Sequence, residues 1–355
     1  MKEMSVEQLL KLDRAVPVDV RSPIEFREFN IPGAVNIPLF TDEERAEIGT
    51  LYKQTSGDAA RWRAMEIVSP KIPQLLKQIK SIKDKGNEPV IYCWRGGTRS
   101  KSVATFLQFA GLPMPRLIGG YRAYRQYILE KLPSMLKKKA IVLHGLTGSG
   151  KTEVLSRLSE QGMPVIDLEL IARHRGSIFG SFGQENPHNQ KMFDALLFQT
   201  LHTIQESPFV IMEAESKRIG KAVQPEELIH LKKEGIHIQL DCSMEQRVNR
   251  LSTEYVKPYI QEEWFNVKLE ESFILVKKRL RDKEAIALIE DALLQKDYRR
   301  FIQLLLETYY DPRYTFKLNE YDGPFYYINS DHIDKAVEEI ADIYKKEEEK
   351  EKMLN

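Results

Sequence analysis

Short β-branched and apolar runs alternate along this chain with longer stretches whose apolar residues recur at helical spacing. In roughly the first 130 residues the runs are PVDV at 17–20, AVNIPL at 34–39, PVIYC at 89–93 and PRLIGG at 115–120. That rhythm predicts a parallel α/β sheet. Ahead of the third run, Ile72, Leu75, Leu76, Ile79 and Ile82 keep a helical period up to the turn residues Lys85, Gly86 and Asn87, which predicts a crossover helix. A second series, AIVLHG at 140–145, MPVIDLE at 163–169, PFVIMEAES at 208–216 and IHIQLDCS at 236–243, predicts another parallel α/β unit. Between the two series, ILEKLPSMLKKKA at 128–140 carries a proline and then three consecutive lysines. It sets an expected boundary near residue 135, with one domain over 1–135 and a second over 136–355. Beyond 255 the apolar positions follow a helical period as far as ADIYKKEEEKEK at 341–352, which predicts a helical C-terminal region with a solvated, fraying end. The expected class is α/β with two parallel-sheet domains.

A length of 355 residues agrees with two cores, and 42% hydrophobic with 30% charged residues is a soluble globular composition. No apolar run approaches the roughly 18 residues that span a bilayer. The opening MKEMSVEQLLKLDRAV is charged throughout and has no export-signal core, so the expected location is the cytoplasm. Cys93 and Cys242 are too few and too far apart for a zinc site or a disulfide framework, which leaves single-thiol chemistry. A formal net charge of +1 does not advertise nucleic-acid binding, since a general polyanion binder usually shows a strong basic excess. Nucleic-acid binding would rest on local patches, for which Lys137–Lys139, Arg173–Arg175 and Lys277–Arg281 are the candidates.

Two stretches carry chemistry. Gly145, Leu146, Thr147, Gly148, Ser149, Gly150, Lys151 and Thr152 fit G-x-x-x-x-G-K-[ST] between an apolar strand and the helical EVLSRLSEQG. Glycines let backbone N–H groups converge on phosphate oxygens, Lys151 adds charge at a terminal phosphate, and the Thr152 hydroxyl can ligate magnesium. A carboxylate partner is available from Glu213, Glu215 or Asp167 at strand ends; an ion pair of Glu215 with Lys217 or Arg218 is the alternative use of that residue. Arg173, His174 and Arg175 form a cationic segment at the sheet's carboxyl edge, suited to a phosphate or an RNA backbone. His174 has an acid–base or a purely structural role open to it.

The other stretch is VIYCWRGGTRS at 90–100. From Cys93 through Trp94, Arg95, Gly96, Gly97, Thr98 and Arg99 it reads C-x5-R, followed by Ser100. A loop of this length above a helix N-terminus focuses amide N–H groups on one point and favours thiolate, while Arg99 offers a bidentate fork to a bound oxyanion.

With these residues on the page, DVRSPIEF at 19–26, IPGAVNIP at 31–38, the Cys93 loop and IGGYRAY at 118–124 resemble the successive signatures of a rhodanese domain. The usual rhodanese loop is one residue shorter; the C-x5-R form is similar to rhodanese-related phosphatases. The whole chain resembles the tRNA 2-selenouridine synthases, through GTLYKQ at 49–54 with Gly57 and Asp58, the Cys93 loop, DLELIARHRGSIFG at 167–180, EAESKRIG at 213–220 and ETYYDPRY at 307–314. The resemblance implies a tRNA with 2-thiouridine at the wobble position as partner, selenophosphate as donor and geranyl diphosphate as a further substrate. It implies no tightly bound cofactor, with magnesium at Thr152 as an option. Selenophosphate is expected at the Cys93 loop, either giving selenium to Cys93 as a perselenide, with Arg95 and Arg99 stabilising departing phosphate, or attacking the activated base directly. The diphosphate is expected at Gly145–Thr152, with Asp167, Arg173, His174, Arg175 and Glu213 in support; Asp19, Lys53 and Arg218 are further supporting candidates assigned to neither loop. Competing readings are a cysteine phosphatase, a sulfurtransferase coupled to a P-loop kinase, and a tRNA-binding or sulfur-relay adaptor.

Overall fold

The computed structural model describes residues 2–175, 186–314, 321 and 324–354. It contains two separate parallel sheets, and contacts divide the chain between Leu132 and Pro133, with residues 194–198 grouped in the first unit. The α/β class expected from the alternation is the one observed.

In the first unit, β1 (Glu3–Met4), β2 (Ala15–Asp19), β3 (Val35–Asn36), β4 (Glu88–Tyr92) and β5 (Arg116–Leu117) lie in the order β1-β5-β4-β2-β3, every pairing parallel. Parallel neighbours need crossovers, and the predicted one exists as the helix Ile72–Asp84, which buries Leu75 and Ile79 against the sheet residues Val18 and Ile91. Before it, two helices that the sequence reading left unassigned, Asp42–Gln54 and Gly57–Val68, pack on each other. The helix Gly120–Met135 runs through Pro133 instead of stopping at it. The proline sits in the last turn, where one missing N–H and one displaced carbonyl disturb little.

The second unit orders β6 (Lys139–His144), β7 (Val165–Ile166), β8 (Phe209–Glu213), β11 (Ile236–Asp241) and β12 (Phe325–Asn329) as β12-β11-β6-β8-β7, again all parallel. A short antiparallel pair, β9 (Arg218–Ile219) and β10 (Ala222–Val223), stands apart. The region past 255 is helical through Trp264–Lys277, Lys283–Leu294 and Tyr298–Leu305, but it then returns to the sheet as β12, an edge strand the periodicity did not reveal. The last helix spans Ile333–Leu354, with Lys352 and Met353 exposed near its end. It lays Ala336, Val337 and Ile340 on the core of Ile141, Leu143 and Ile238, and Lys139 pairs with Glu351 near its end.

Gly120 shows how closely the first unit is packed beneath its loop. Its φ is +58°, and a Cβ there would sit 2.1 Å from the Cys93 carbonyl oxygen and 2.5 Å from the Gly96 nitrogen. Gly120→Ala therefore destabilises this unit by about 3 kcal/mol, from left-handed strain plus a clash with immobile backbone. Urea unfolding followed by tryptophan fluorescence, in a background with Trp264→Phe so that Trp62 and Trp94 report the first unit, reads that loss as an earlier midpoint.

Candidate active sites

The first site is the loop after β4. Cys93 is buried, and its thiol donates to Ser100 Oγ at 3.2 Å. The backbone of 117–122 supports the loop from below: the Tyr121 and Arg122 N–H groups donate to the Cys93 and Trp94 carbonyls at 2.9 Å, and the Arg116 guanidinium donates to the Gly96 carbonyl. Trp94 stacks on Tyr121 with centroids 5.7 Å apart. The helix Thr98–Phe109 begins on Gly97 with no side chain capping it, which leaves its first amides available to a ligand. Arg95, Gly97 and Thr98 are exposed around that opening.

Arg99 does not present the open fork expected of it. Its guanidinium grips Glu25 at 2.5 and 3.1 Å, with Arg45 3.8 Å from the same carboxylate. Burial alone would raise the Glu25 pKa, but Arg99, the Ser22 amide and Arg45 outweigh it and hold the carboxyl below its ordinary value. Asp19 also has a structural partner: it forms a fully buried bidentate pair with Arg21, whose guanidinium also donates to the Phe29 carbonyl and lies over the Phe29 and Tyr121 rings. Lys53 stands exposed on the helix Asp42–Gln54 and, among the described residues, bonds to neither loop.

In the second unit the loop Gly145–Thr152 joins β6 to the helix Lys151–Glu160. Gly150 caps that helix at φ +93° with no side-chain hydrogen bond, so here too the amide end is unsatisfied. Lys151 folds back to donate to the Gly145 carbonyl at 2.7 Å, close to where a phosphate would draw it. Thr152 Oγ1 lies 3.4 Å from Oε2 of Glu169, a residue inside the quoted 167–180 segment that spacing from the strand ends passed over. Glu169 N–H donates to Glu213 Oε1 at 2.9 Å, and Asp167 caps the helix Leu168–Ala172 through the Leu170 amide at 2.8 Å. Glu213 is 2% exposed, and its Oε2 has no hydrogen-bond partner among the described residues. Burial and the neighbouring carboxylates raise Glu213 well above its ordinary range; burial also raises Asp167. Burial and Glu215 push Glu169 up to about 8, against the pull of Lys151.

Glu215 forms no pair with Lys217 or Arg218, because Lys217 binds Glu226. Its backbone is fixed instead by the buried Lys232, which donates to the Glu215 carbonyl and to Gln224 Oε1. Arg218 is exposed on β9. Arg173 ends its helix in the left-handed region and is exposed, His174 packs against Gly220 with its pKa lowered by burial, and Arg175 meets Glu254 at 3.2 Å and the face of Tyr255. The rest of that motif, 176–180, lies outside the described residues.

A cavity of about 620 Å³ runs from the Gly148–Thr152 loop, past Glu169 and Glu215, to a wall of Leu269, Phe301, Ile302, Leu305 and Leu306. Two π-helical turns, Ser252–Val256 and Leu306–Tyr310, contribute to it, an irregularity that recurs at ligand sites. Sequence spacing gave no sign of this wall, since its residues read as ordinary helix core. Among the described residues, no group of three or more histidine, cysteine or acidic side chains is placed to hold a metal by itself. Thr152 and Glu169 are nonetheless hard oxygen donors of the type magnesium takes once phosphate oxygens complete the set.

The raised Glu169 has a stability signature. A carboxyl with an ordinary value of 4.5 and a folded value of about 8 gives stability that is complete below pH 4.5 and lost progressively as pH rises toward 8. Ligand-free Glu169→Gln therefore loses less melting temperature between pH 6 and pH 8 than the unaltered protein, by differential scanning fluorimetry.

Comparison with known proteins agrees with both units. Residues 5–127 match the rhodanese-like domain, and residues 138–349 match the tRNA 2-selenouridine synthase AAA domain. The tRNA 2-selenouridine synthase of Shewanella pealeana is 35% identical over 85% of this chain and 88% of its own. That of Bdellovibrio bacteriovorus is 33% identical over 88% of this chain and 92% of its own. That of Hahella chejuensis is 32% identical over 88% and 87%. No helix of the described residues is long and apolar enough to cross a membrane. With both domain models matched in order and full-length relatives aligned across most of the chain, the protein belongs to the tRNA 2-selenouridine synthase family.

Proposed function

We propose that the protein replaces the 2-sulfur of wobble 2-thiouridine in tRNA with selenium in two steps, S-geranylation from geranyl diphosphate and then exchange with selenium from selenophosphate. Family membership makes it a tRNA-modifying enzyme with tRNA as substrate. The observation that carries the two-step reading is the single cavity that begins at a phosphate-type loop and ends in an apolar wall. A prenyl diphosphate has this polarity, whereas a purine edge needs donors and acceptors along its length.

In the first step the thiouridine sulfur attacks C1 of the geranyl group. The C–S bond forms, the C–O bond breaks, and diphosphate leaves with the electron pair onto the loop amides and Lys151. Magnesium, held by Thr152 and Glu169 together with the diphosphate oxygens, would add positive charge at the leaving group. Alkylation turns the sulfur into a departing thiolate for the second step.

The second step uses the Cys93 loop, whose C-x5-R length suits a phosphate. Uptake of selenium as a Cys93 perselenide would remove two electrons from the sulfur–selenium pair, and departing orthophosphate accepts none. Attack by Cys93 thiolate at phosphorus balances: the S–P bond forms, the P–Se bond breaks, and hydrogen selenide leaves as the nucleophile. Loop amides and Arg95 hold the phosphoryl group, since Arg99 is engaged by Glu25. Water then cleaves S–P to release orthophosphate. Selenide adds at C2 of the S-geranylated base, the C–Se bond forms, the C–S bond breaks, and geranylthiolate departs.

Nucleoside analysis of thiolated tRNA separates these roles. Lys151→Ala lowers S-geranyl product by at least about 100-fold, a loss of about 2.7 kcal/mol in transition-state stabilisation, and still selenates tRNA that is supplied already geranylated. Geranylation that survives Lys151→Ala while nucleotide binding is lost would instead give the loop to a nucleotide. Cys93→Ser accumulates the S-geranyl nucleoside and forms no 2-selenouridine. Acid quenching of the unaltered enzyme with phosphorus-labelled selenophosphate traps label on Cys93; selenium on Cys93 without phosphorus contradicts attack at phosphorus.

A further inference from the structure

Three basic runs stand out in a chain of net charge +1, and the structure accounts for two of them. In the first, Lys138 donates to the carbonyls of Ile204, Gln205 and Ser207, and Lys139 pairs with Glu351. In the second, Arg175 is paired with Glu254, and Arg173 closes a helix through its backbone N–H. The third differs. Lys277, Lys278, Arg279, Arg281 and Lys283 occupy the turn between the helices Trp264–Lys277 and Lys283–Leu294, all five exposed. Lys277 pairs with Glu290, and the acid within the run, Asp282, is used as the cap of the next helix through the Ala285 amide at 3.1 Å. Among the described residues, no ion pair engages Lys278, Arg279, Arg281 or Lys283.

A sequence-distant cation joins them. Arg313 donates to the Arg279 carbonyl at 3.3 Å while its guanidinium lies 3.7 Å from the centre of the Tyr309 ring and bonds the Tyr309 carbonyl. Arg313 belongs to the ETYYDPRY stretch, in which Tyr309 is buried and Tyr310 and Asp311 are half-buried. Tyr310 lines the cavity together with Leu306, just ahead of that stretch, and Asp311 binds Arg247 at 2.5 and 2.9 Å, while Arg247 donates to the Thr147 carbonyl of the glycine loop at 2.9 Å. One short segment thus connects the phosphate loop, the cavity wall and the basic turn.

We infer that the turn 277–283 with Arg313 is the surface on which the tRNA sugar–phosphate backbone docks as its wobble base enters the cavity. The placement of the base rests on the two-step reading above; the docking itself requires only that tRNA is the substrate. Closely spaced exposed cations with little acidic compensation fit a polyanion, and they supply affinity without base readout. Position matters as much as charge, because a backbone held here lies on the same segment that forms the cavity wall.

The test uses the full-length protein carrying Lys278→Gln, Arg281→Gln and Lys283→Gln together. A control carries changes in the first unit at the helix Ile72–Asp84 and its C-terminal cap, Lys77→Gln with Lys83→Gln and Lys85→Gln, which are likewise exposed and remove equal charge. Binding of thiolated tRNA is measured by fluorescence anisotropy over a salt series, without selenophosphate or geranyl diphosphate. Loss of three phosphate contacts reduces the slope of log K against log salt by about two to three and weakens binding at least about tenfold, while the control stays near the unaltered protein. In turnover, KM for tRNA rises and kcat at saturating tRNA is retained. Unchanged affinity and slope, or an equal loss in the control, overturns the docking surface. So does retained tRNA binding accompanied by lost binding to phosphatidylserine vesicles, which would make the patch a membrane contact. Because binding is read without either small substrate, a failure of the two-step chemistry leaves this result standing, and the reverse also holds.

Discussion

The ion pair between the buried Arg247 and the partly exposed Asp311 is the contact on which the second site depends. Arg247 is 3% exposed, its fork is filled by both Asp311 oxygens, and its Nε–H reaches the Thr147 carbonyl. Removing Asp311 leaves the buried Arg247 charge uncompensated, which costs more than losing an exposed ion pair. The pair is also directional. It fixes the glycine loop against the segment that follows the π-helical turn Leu306–Tyr310, so a phosphate-type end and an apolar end face one cavity instead of belonging to separate features.

Both sites use one physical device. Each lies at the carboxyl end of a strand in a parallel sheet, where a glycine, Gly97 or Gly150, starts a helix that no side chain caps. The amides a cap would satisfy are left available to an anion, and the helix dipole adds to their attraction for one. What differs is the group set beside the amides. In one loop it is a thiol hydrogen-bonded to Ser100; in the other it is an ammonium, a hydroxyl and a ring of carboxyls that are hard to ionise. The proposed chemistry divides accordingly, with bond formation assigned to the first and leaving-group stabilisation to the second.

The fold class and most strands were readable because buried parallel strands are short apolar runs with turn residues at their ends, as in 89–93 and 140–145. β12 was not: FYYIN follows a long helical stretch and pairs with β11 at a sequence separation no local pattern encodes. Pro133 looked like a break because its cost depends on where in the helix it falls. The glycine loops were readable because their backbone demands glycine at set spacing. Side-chain partnerships were not, since Asp19 with Arg21 and Arg99 with Glu25 are decided by burial and by contacts across 74 positions in the second case. Glu169 escaped notice because its importance comes from meeting Thr152 in space, and the cavity wall because residues such as Phe301 and Leu305 are indistinguishable from core in one dimension.

The most direct test of the central claim, that one cavity reads both a diphosphate and an isoprenoid, is calorimetric binding of geranyl diphosphate, inorganic diphosphate and ATP to the unaltered protein in magnesium buffer. Burying a ten-carbon chain at about 0.8 kcal/mol per methylene leaves, after ordering costs, at least about a 100-fold preference for geranyl diphosphate over diphosphate, with a negative heat-capacity change. Equal affinity for the two, or tighter binding of ATP than of either, would contradict the account.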